Sequence, residues 1–353
     1  MYGTRYLRSI VLRLGVVLRV WAAAIAVTAA RAHRGRGLPR WTWSHELLAT
    51  WMKREFARLA PLPWPLQRRT WRAVALPSFA VRGARFERAH LAGMDAEWIT
   101  PRGLPDRPAN EGTVLLYLHG GAYLFGTIDE YRDFASRVAS EARARAVVVG
   151  YRLAPEHPFP AALDDAVAAY SALLESGIPA ARIVVAGDSA GGGLAASLLV
   201  ALRDRGAPLP AGAVLVSPWV DLAARGGTLV THQDHDFFTP ELVERWARTV
   251  LAGADATDPR ASPARAELRG LPPLLVQVGG AEMILDQVVA FAERARAVGV
   301  DARLRVWQDC FHDWPLFAAM LGDARRAIEE IGAFVREVTP VAAPRSAPSA
   351  PDR

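Results

Sequence analysis

The stretch Gly187-Asp188-Ser189-Ala190-Gly191 follows the apolar run Ile183-Val184-Val185-Ala186 and leads into a helix-like segment from Gly192 to Arg203. A G-x-S-x-G pattern between a buried strand and a helix is what a sharp, strained turn requires. Small neighbours leave room for the backbone to reverse, and the serine hydroxyl is held out at the end of the sheet. The pattern commits the chain to a strand–turn–helix unit and makes Ser189 the leading candidate for a nucleophile. A plain glycine-rich turn has the same composition, so that assignment depends on finding partners.

Past residue 90 the chain alternates. Strand-like runs near 95–99, 113–118, 146–150, 182–186, 212–217, 274–278 and 303–307 are separated by amphipathic stretches near 129–143, 160–176, 192–205, 239–251, 284–298 and 315–338. Such alternation predicts an α/β domain over 91–338, a mostly parallel sheet with helices on both faces. The run ending at Leu118 leads straight into His119-Gly120-Gly121-Ala122-Tyr123, which resembles the H-G-G-G loop of esterases, with Ala122 in place of the third glycine. Acyl transfer builds negative charge on a carbonyl oxygen, and preorganised backbone N–H groups stabilise it. The amides of Gly120, Gly121 and Ala190 are the expected donors.

A base is needed next. Of the eight histidines, His312 lies in a loop just after the strand-like Arg303–Trp307 run, where it can reach back to a serine at the sheet's end. His232 and His235 fall in a polar loop and read as solvated; His33, His45 and His90 precede the core, and His157 sits in a proline-rich turn. The acid should follow the run Leu274–Val278. Glu282 lies nearest that strand end and is favoured; Asp286, about one helical turn on, is the alternative acid. Asp309 and Asp313, which flank His312, read as exposed loop carboxylates.

With these residues in place the chain resembles the hormone-sensitive lipase family of α/β-hydrolases, in its bacterial esterase branch. The resemblance spans roughly residues 92–338 and rests on His119–Tyr123, Tyr151-Arg152-Leu153-Ala154-Pro155-Glu156-His157-Pro158, Gly187–Gly192, Ser217-Pro218-Trp219-Val220-Asp221 and His312. Many members open the acidic motif with Asp-Pro-Leu. Here the stretch is Glu282-Met283-Ile284-Leu285-Asp286, similar to the branch in which glutamate takes the acid's place. His119, Asp188, Arg152 and Glu156 are read as structural: the last two form charge-assisted bonds that hold a loop under the turn, and Asp188 anchors the strained turn itself. The resemblance implies an α/β-hydrolase fold and a serine carboxylester hydrolase acting on short to medium acyl esters through an acyl-enzyme. A lactonase or an acetyl or amide hydrolase with the same residues is the alternative. A non-catalytic ligand receptor, as in the plant gibberellin receptors, is a further one, weakened by the presence of His312.

Composition adds limits. The single cysteine, Cys310, excludes an intrachain disulfide, and the absence of C-x-x-C or H-E-x-x-H patterns gives no reason to expect a metal; the proposed chemistry needs no cofactor. The net charge of +6 comes almost wholly from arginines scattered near acids, with no basic segment interleaved with aromatics, so nucleic acid is not the expected partner; a small ester is. Residues 37–90, with Trp41, Trp43, Trp51, Trp64 and Trp71 among prolines and arginines, are read as a cap over the site. Residues 339–353, rich in Pro, Ala and Ser, are read as a disordered tail. In residues 1–36 the uncharged run Val20–Ala30 is too short to span a bilayer, while Arg5, Arg8, Arg13 and Arg19 fall on one side of a helical wheel. An interfacial helix, touching a membrane through residues 5–32, and a helix packed on the cap are equal expectations; a signal or anchor is less favoured. The expected location is cytoplasmic, peripheral on the membrane, and the oligomeric state is left open.

Overall fold

The computed structural model describes residues 2–74, 83–104 and 112–339. Within them one eight-stranded sheet is built from β1 (Ala84–Leu91), β2 (Met94–Pro101), β3 (Val114–Leu118), β4 (Arg145–Val149), β5 (Ile183–Asp188), β6 (Gly212–Val216), β7 (Leu274–Gly279) and β8 (Ala302–Trp307), in the order β1-β2-β4-β3-β5-β6-β7-β8. β1 and β2 pair antiparallel, as do β2 and β4, and every pair from β4 across to β8 is parallel. The central strands are unbroken Val, Ile, Leu and Ala because both of their faces are covered, the usual condition of a parallel sheet. Strand order reverses between β3 and β5, and open α/β sheets place their sites outside the strand ends at such a point. The register brings the relevant ends level: Leu118 pairs with Gly187, Asp188 with Val216, and Val216 with Gln277.

Helices α1 (Tyr2–Arg34), α2 (Trp43–Leu59) and α3 (Trp64–Val74) precede the sheet, and α4 (Ile128–Ala142), α5 (Ala161–Glu175), α6 (Ser189–Asp204), the single turn α7 (Thr228–Thr231), α8 (Pro240–Leu251), α9 (Leu285–Ala297) and α10 (Gly322–Val338) follow or interrupt it. α4 and α10 pack together on one face. α6 covers β3, β5 and β6 on the other, flanked by α5 and joined to α9 through the turn Pro263–Arg265. Three features depart from the sequence expectation. Residues 84–90, read with the cap, are strand β1 of the sheet; its ARFERAHL sequence is half exposed at an edge, so it lacks the apolar run of a central strand. The stretch 315–338 is not one helix: a short 3₁₀ turn, Trp314–Phe317, carries Pro315 in its first turn, and extended Leu321 separates it from α10. Thr339, read as tail, is buried and closes α10 by donating its hydroxyl to the Val335 carbonyl at 2.8 Å; residues 340–353 lie outside the described residues.

α1 is a 33-residue helix, and its segment Leu14–Arg34 is long and apolar enough to cross a membrane by length and composition, with mean hydropathy 1.6. The reading of Val20–Ala30 as too short counted only the uncharged run. Arg19 and Arg31 fall within the longer segment and turn toward the protein, where Arg19 Nε meets Glu55 Oε1 at 2.5 Å and Arg31 Nε meets Glu46 Oε2 at 3.1 Å, both on α2. Ala23 and Val27 are buried on that same side. Leu14, Val17, Leu18, Trp21 and Ile25 point outward, each more than half exposed. The side chains of Arg5, Arg8 and Arg13 lie outside the described residues.

Candidate active site

Ser189 stands at the top of β5 with φ +50°, in the left-handed region that a serine enters only when the fold imposes it. The glycines around it are fixed by contact. A Cβ on Gly191 would lie 2.0 Å from the Leu118 carbonyl oxygen, and one on Gly187 would lie 2.3 Å from that of Gly191. The neighbouring strand end and the opening of α6 thus leave no space for larger residues. Ser189 Oγ is 2.8 Å from His312 Nε2, and His312 Nδ1 is 2.9 Å from Glu282 Oε2. A carboxylate only accepts, so Nδ1 carries the proton and Nε2 is free to accept from the serine hydroxyl.

Glu282 is fully buried, and its second oxygen accepts from Ser217 Oγ at 2.6 Å and from the Gly279 amide at 2.5 Å. Burial raises its pKa to about 7, against the opposing pull of His312. Asp286, the alternative acid, is elsewhere: its Oδ2 accepts from the Thr228 amide at 3.0 Å. It opens α9 and is turned toward the segment before α7, so it takes no part in this row.

Sequence reasoning missed several residues that hold the row in place. Asp236, buried in the His232–Asp236 loop, accepts from the amides of Met283 at 2.9 Å and His312 at 3.3 Å, so one carboxylate fastens the acid loop to the histidine loop. His232, read as solvated, has Nδ1 3.0 Å from the Glu282 carbonyl oxygen, and His235 packs edge-on to Trp41 at 6.4 Å. Asp313, read as exposed, is largely buried with Oδ2 3.2 Å from His312 Nε2. The contacts of Asp236, His232 and His235 join separate loops, and no spacing along the chain announces them.

The loop after β3 corrects one assignment. The Gly120 amide donates to Asp188 Oδ1 at 2.9 Å, which the Tyr117 hydroxyl also reaches, so this amide is occupied within the protein and is not available to an oxyanion. Asp188 is thus the anchor between the two loops, and burial, with Asp313 nearby, raises its pKa. Gly121 follows at φ +111° and Ala190 lies in the first turn of α6, where amides lack intrahelical acceptors. His119 stacks between Tyr151, at 4.4 Å, and Tyr131, at 5.3 Å; burial lowers its pKa to about 4, so it is neutral. Arg152 grips Asp165 with Nη2–Oδ1 at 2.7 Å, while Glu156 pairs with Arg68 of α3 at 2.9 Å. Both form the charge-assisted bonds expected of them, to partners outside their own motif.

A cavity of about 600 Å³ opens onto Ser189 and His312. Trp51, Met52 and Phe56 of α2 and Trp71 of α3 line it, together with Phe238 and Trp246, so the helices before the sheet form one wall. Trp41 lies outside, donating from Nε1 to the Asp309 carbonyl at 2.5 Å; Trp64 packs on Phe125 at 5.9 Å; and Trp43 is exposed. His45, Cys310 and Asp323 bring ligand-type atoms within 4.8 Å of one another, a grouping the sequence did not suggest. The Thr42 amide donates to His45 Nδ1 at 3.3 Å, so Nε2, 3.8 Å from Asp323 Oδ2, carries the proton, and burial raises the Cys310 pKa. A protonated ring nitrogen and a neutral thiol are poor metal ligands. The group is a polar contact by which α2 rests on the body.

Comparison with known proteins points to the same fold. Residues 115–316 match the family model of an alpha/beta hydrolase fold. An acetyl-hydrolase of Streptomyces hygroscopicus is 45% identical over 246 residues, 69% of this chain and 80% of that protein, and Esterase LipU of Mycobacterium tuberculosis is 33% identical over 79% of this chain and 95% of its own length. Among solved structures, an esterase from the bacterial hormone-sensitive lipase family superposes with a TM-score of 0.76 at 42% identity, covering 81% of this chain and 96% of that one. The strand order, the turn at Ser189 and these similarities lead to one conclusion: the chain belongs to the hormone-sensitive lipase family of α/β-hydrolases.

Proposed function

We propose that Ser189 is the nucleophile of a carboxylester hydrolase, His312 its general base and Glu282 the acid that orients the base. The chain is an ester hydrolase by family, and the observation that supports these roles is the row Ser189 Oγ–His312 Nε2 at 2.8 Å and His312 Nδ1–Glu282 Oε2 at 2.9 Å. Ser189 attacks the ester carbonyl as its proton passes to His312, the alcohol leaves with that proton, and the same base activates water to release the acid. The amides of Gly121 and Ala190 are the oxyanion donors in this reading. The apolar, aromatic cavity of about 600 Å³ suits small uncharged esters with short to medium acyl chains. The acetyl group in the name of the Streptomyces relative keeps O- and N-acetyl compounds within the substrates to test.

The test is hydrolysis of p-nitrophenyl esters from acetate to palmitate by wild type and Ser189→Ala. The expected result is a maximum at short acyl chains and a loss of at least about a thousandfold in the variant. Equal rates in both proteins remove Ser189 from the mechanism, and no turnover of any ester or acetamide by wild type favours a receptor.

We also propose that the outward face of α1, with Leu14, Leu18, Trp21 and Ile25, rests on an anionic lipid surface, to which the chain's net charge of +6 is complementary. Sedimentation with phosphatidylglycerol vesicles checks it; protein that remains in the supernatant refutes it.

A further inference from the structure

His312 is ringed by carboxylates. Glu282 meets Nδ1, Asp236 accepts from the main-chain N–H, Asp188, which precedes Ser189, interacts with the charge of His312 through space, and Asp313 Oδ2 lies 3.2 Å from Nε2. The rings of Phe237 and Phe238 close the remaining side edge-on, at 6.0 and 5.1 Å. Asp236 and Asp188 are bound to backbone amides, and Glu282 is held by Ser217 and Gly279. Asp313 differs from all of these in the atom it addresses: it approaches the nitrogen that faces Ser189. Its Oδ1, like Asp188 Oδ2, is buried without a hydrogen-bond partner.

Its position is built. The backbone of Asp313 is left-handed, φ +52°, a conformation that aspartate and asparagine adopt more readily than other residues with a side chain. Its amide donates to Ser217 Oγ at 3.2 Å, and the same hydroxyl donates to Glu282. Ser217 therefore ties the Glu282 carboxylate to the main chain of Asp313, fixing both residues that address the two ring nitrogens.

We propose that Asp313 is a positioning residue for the transferred proton, its carboxylate holding the Nε2–H of the imidazolium between attack on the ester carbonyl and loss of the leaving group. The proposal rests on the reading of Ser189 and His312 given above. As the Oγ–carbon bond forms, the serine proton moves to Nε2 and the carbonyl π pair moves onto oxygen. When the tetrahedral adduct collapses, the bond to the alkoxide breaks and the alkoxide takes the Nε2 proton. Between these transfers Ser189 Oγ is an ether-type oxygen of the tetrahedral adduct and a weak acceptor, and Asp313 Oδ2 is a charged, stronger acceptor 3.2 Å from Nε2. The proton is kept at the mouth of the cavity, and the base is strengthened. Burial alone would lower the imidazole pKa, but Asp313, joined by Glu282, reverses this and holds it well above 6.5. Since only neutral His312 can accept the serine proton, activity falls as pH drops through that raised value.

The experiment is the pH profile of kcat/KM for p-nitrophenyl butyrate with wild type, Asp313→Asn and Asp313→Gly. Both substitutions tolerate a left-handed backbone, and thermal unfolding of each checks that it folds. The acidic limb of wild type is expected well above the ordinary imidazole value of 6.5, and both variants should move it down by about one unit or more. At pH 6 the variants then retain a share of their own plateau about tenfold larger than wild type does of its plateau. A limb that stays in place while the rate drops uniformly overturns the proposal, since a merely structural role does that. If Ser189→Ala and His312→Ala remain active, the underlying reading has failed; if they are inactive and the limb is unmoved, only the role of Asp313 has failed.

Discussion

Glu130 lines the cavity from the first turn of α4, its carboxylate largely buried beside Thr127, with Arg72 Nε 4.0 Å away. Burial raises its pKa from 4.5 to about 7, opposed by Thr127 and Arg72. Between those two values the folded state keeps a proton that the unfolded chain has lost, so stability falls as pH rises through the window and the loss is complete above about 7. Glu130→Gln keeps the shape and removes the charge. It is expected to be more stable than wild type by about 1–3 kcal/mol at pH 8 and indistinguishable at pH 4, read by urea denaturation. An equal difference at both pH values would refute the burial argument. Glu130 was not legible in the sequence, where Asp129-Glu130 looks like any charged opening of a helix. Ser189, Glu282 and His312 could be picked out because each lies just beyond an apolar run that had to be a strand. Ser217 and Asp236 could not, since their partners come from other loops, and the turn of the Asp313 carboxylate toward its neighbour His312 depends on a left-handed backbone that residue types do not show. The capture of the Gly120 amide by Asp188 was equally hidden, because a backbone donor's acceptor leaves no pattern in residue types.

Among the elements, the central strands could be read directly and the antiparallel edge could not. β3 to β7 are covered on both faces, so their sequences had no freedom to be polar, whereas β1 alternates around arginine and glutamate. What fastens that edge is an ion pair. Glu97 of β2 is almost wholly buried and receives both Nε and Nη2 of Arg132 from α4 at 2.6 Å, with Arg88 of β1 at 3.2 Å from the same carboxylate. Removing Arg132 leaves a buried charge with one exposed partner. Arg132→Met is therefore expected to destabilise by about 2–4 kcal/mol in chemical denaturation, while Glu97→Gln together with Arg132→Met should recover much of that loss. A double variant no better than the single one would mean that the methionine packs badly and that the charge is not at fault.

For the molecule as a whole, α1 is both a structural part and an outward surface. Sequence hydropathy treated its arginines as interruptions; the fold gives Arg19 and Arg31 glutamate partners on α2, so the polar side faces in and the apolar side faces out. Deleting residues 1–36 takes those partners from Glu55 and Glu46 and uncovers the helix whose Trp51, Met52 and Phe56 wall the cavity. The deletion is expected to lower Tm by several degrees as well as abolish vesicle association. Leu18→Ser with Trp21→Ser should abolish association and leave Tm unchanged; a matching fall in Tm would show that this face is packed. The cavity wall also gives the molecule a means of observation. Trp51, Trp71 and Trp246 face the space that opens onto Ser189, and the indole nitrogens of Trp51 and Trp246 have no hydrogen-bond partner. Indoles in so dry a wall emit at short wavelength, and an aromatic acid or alcohol beside them would quench that emission. The protein thus reports cavity occupancy in its own fluorescence, before any bond is broken and without a coloured substrate.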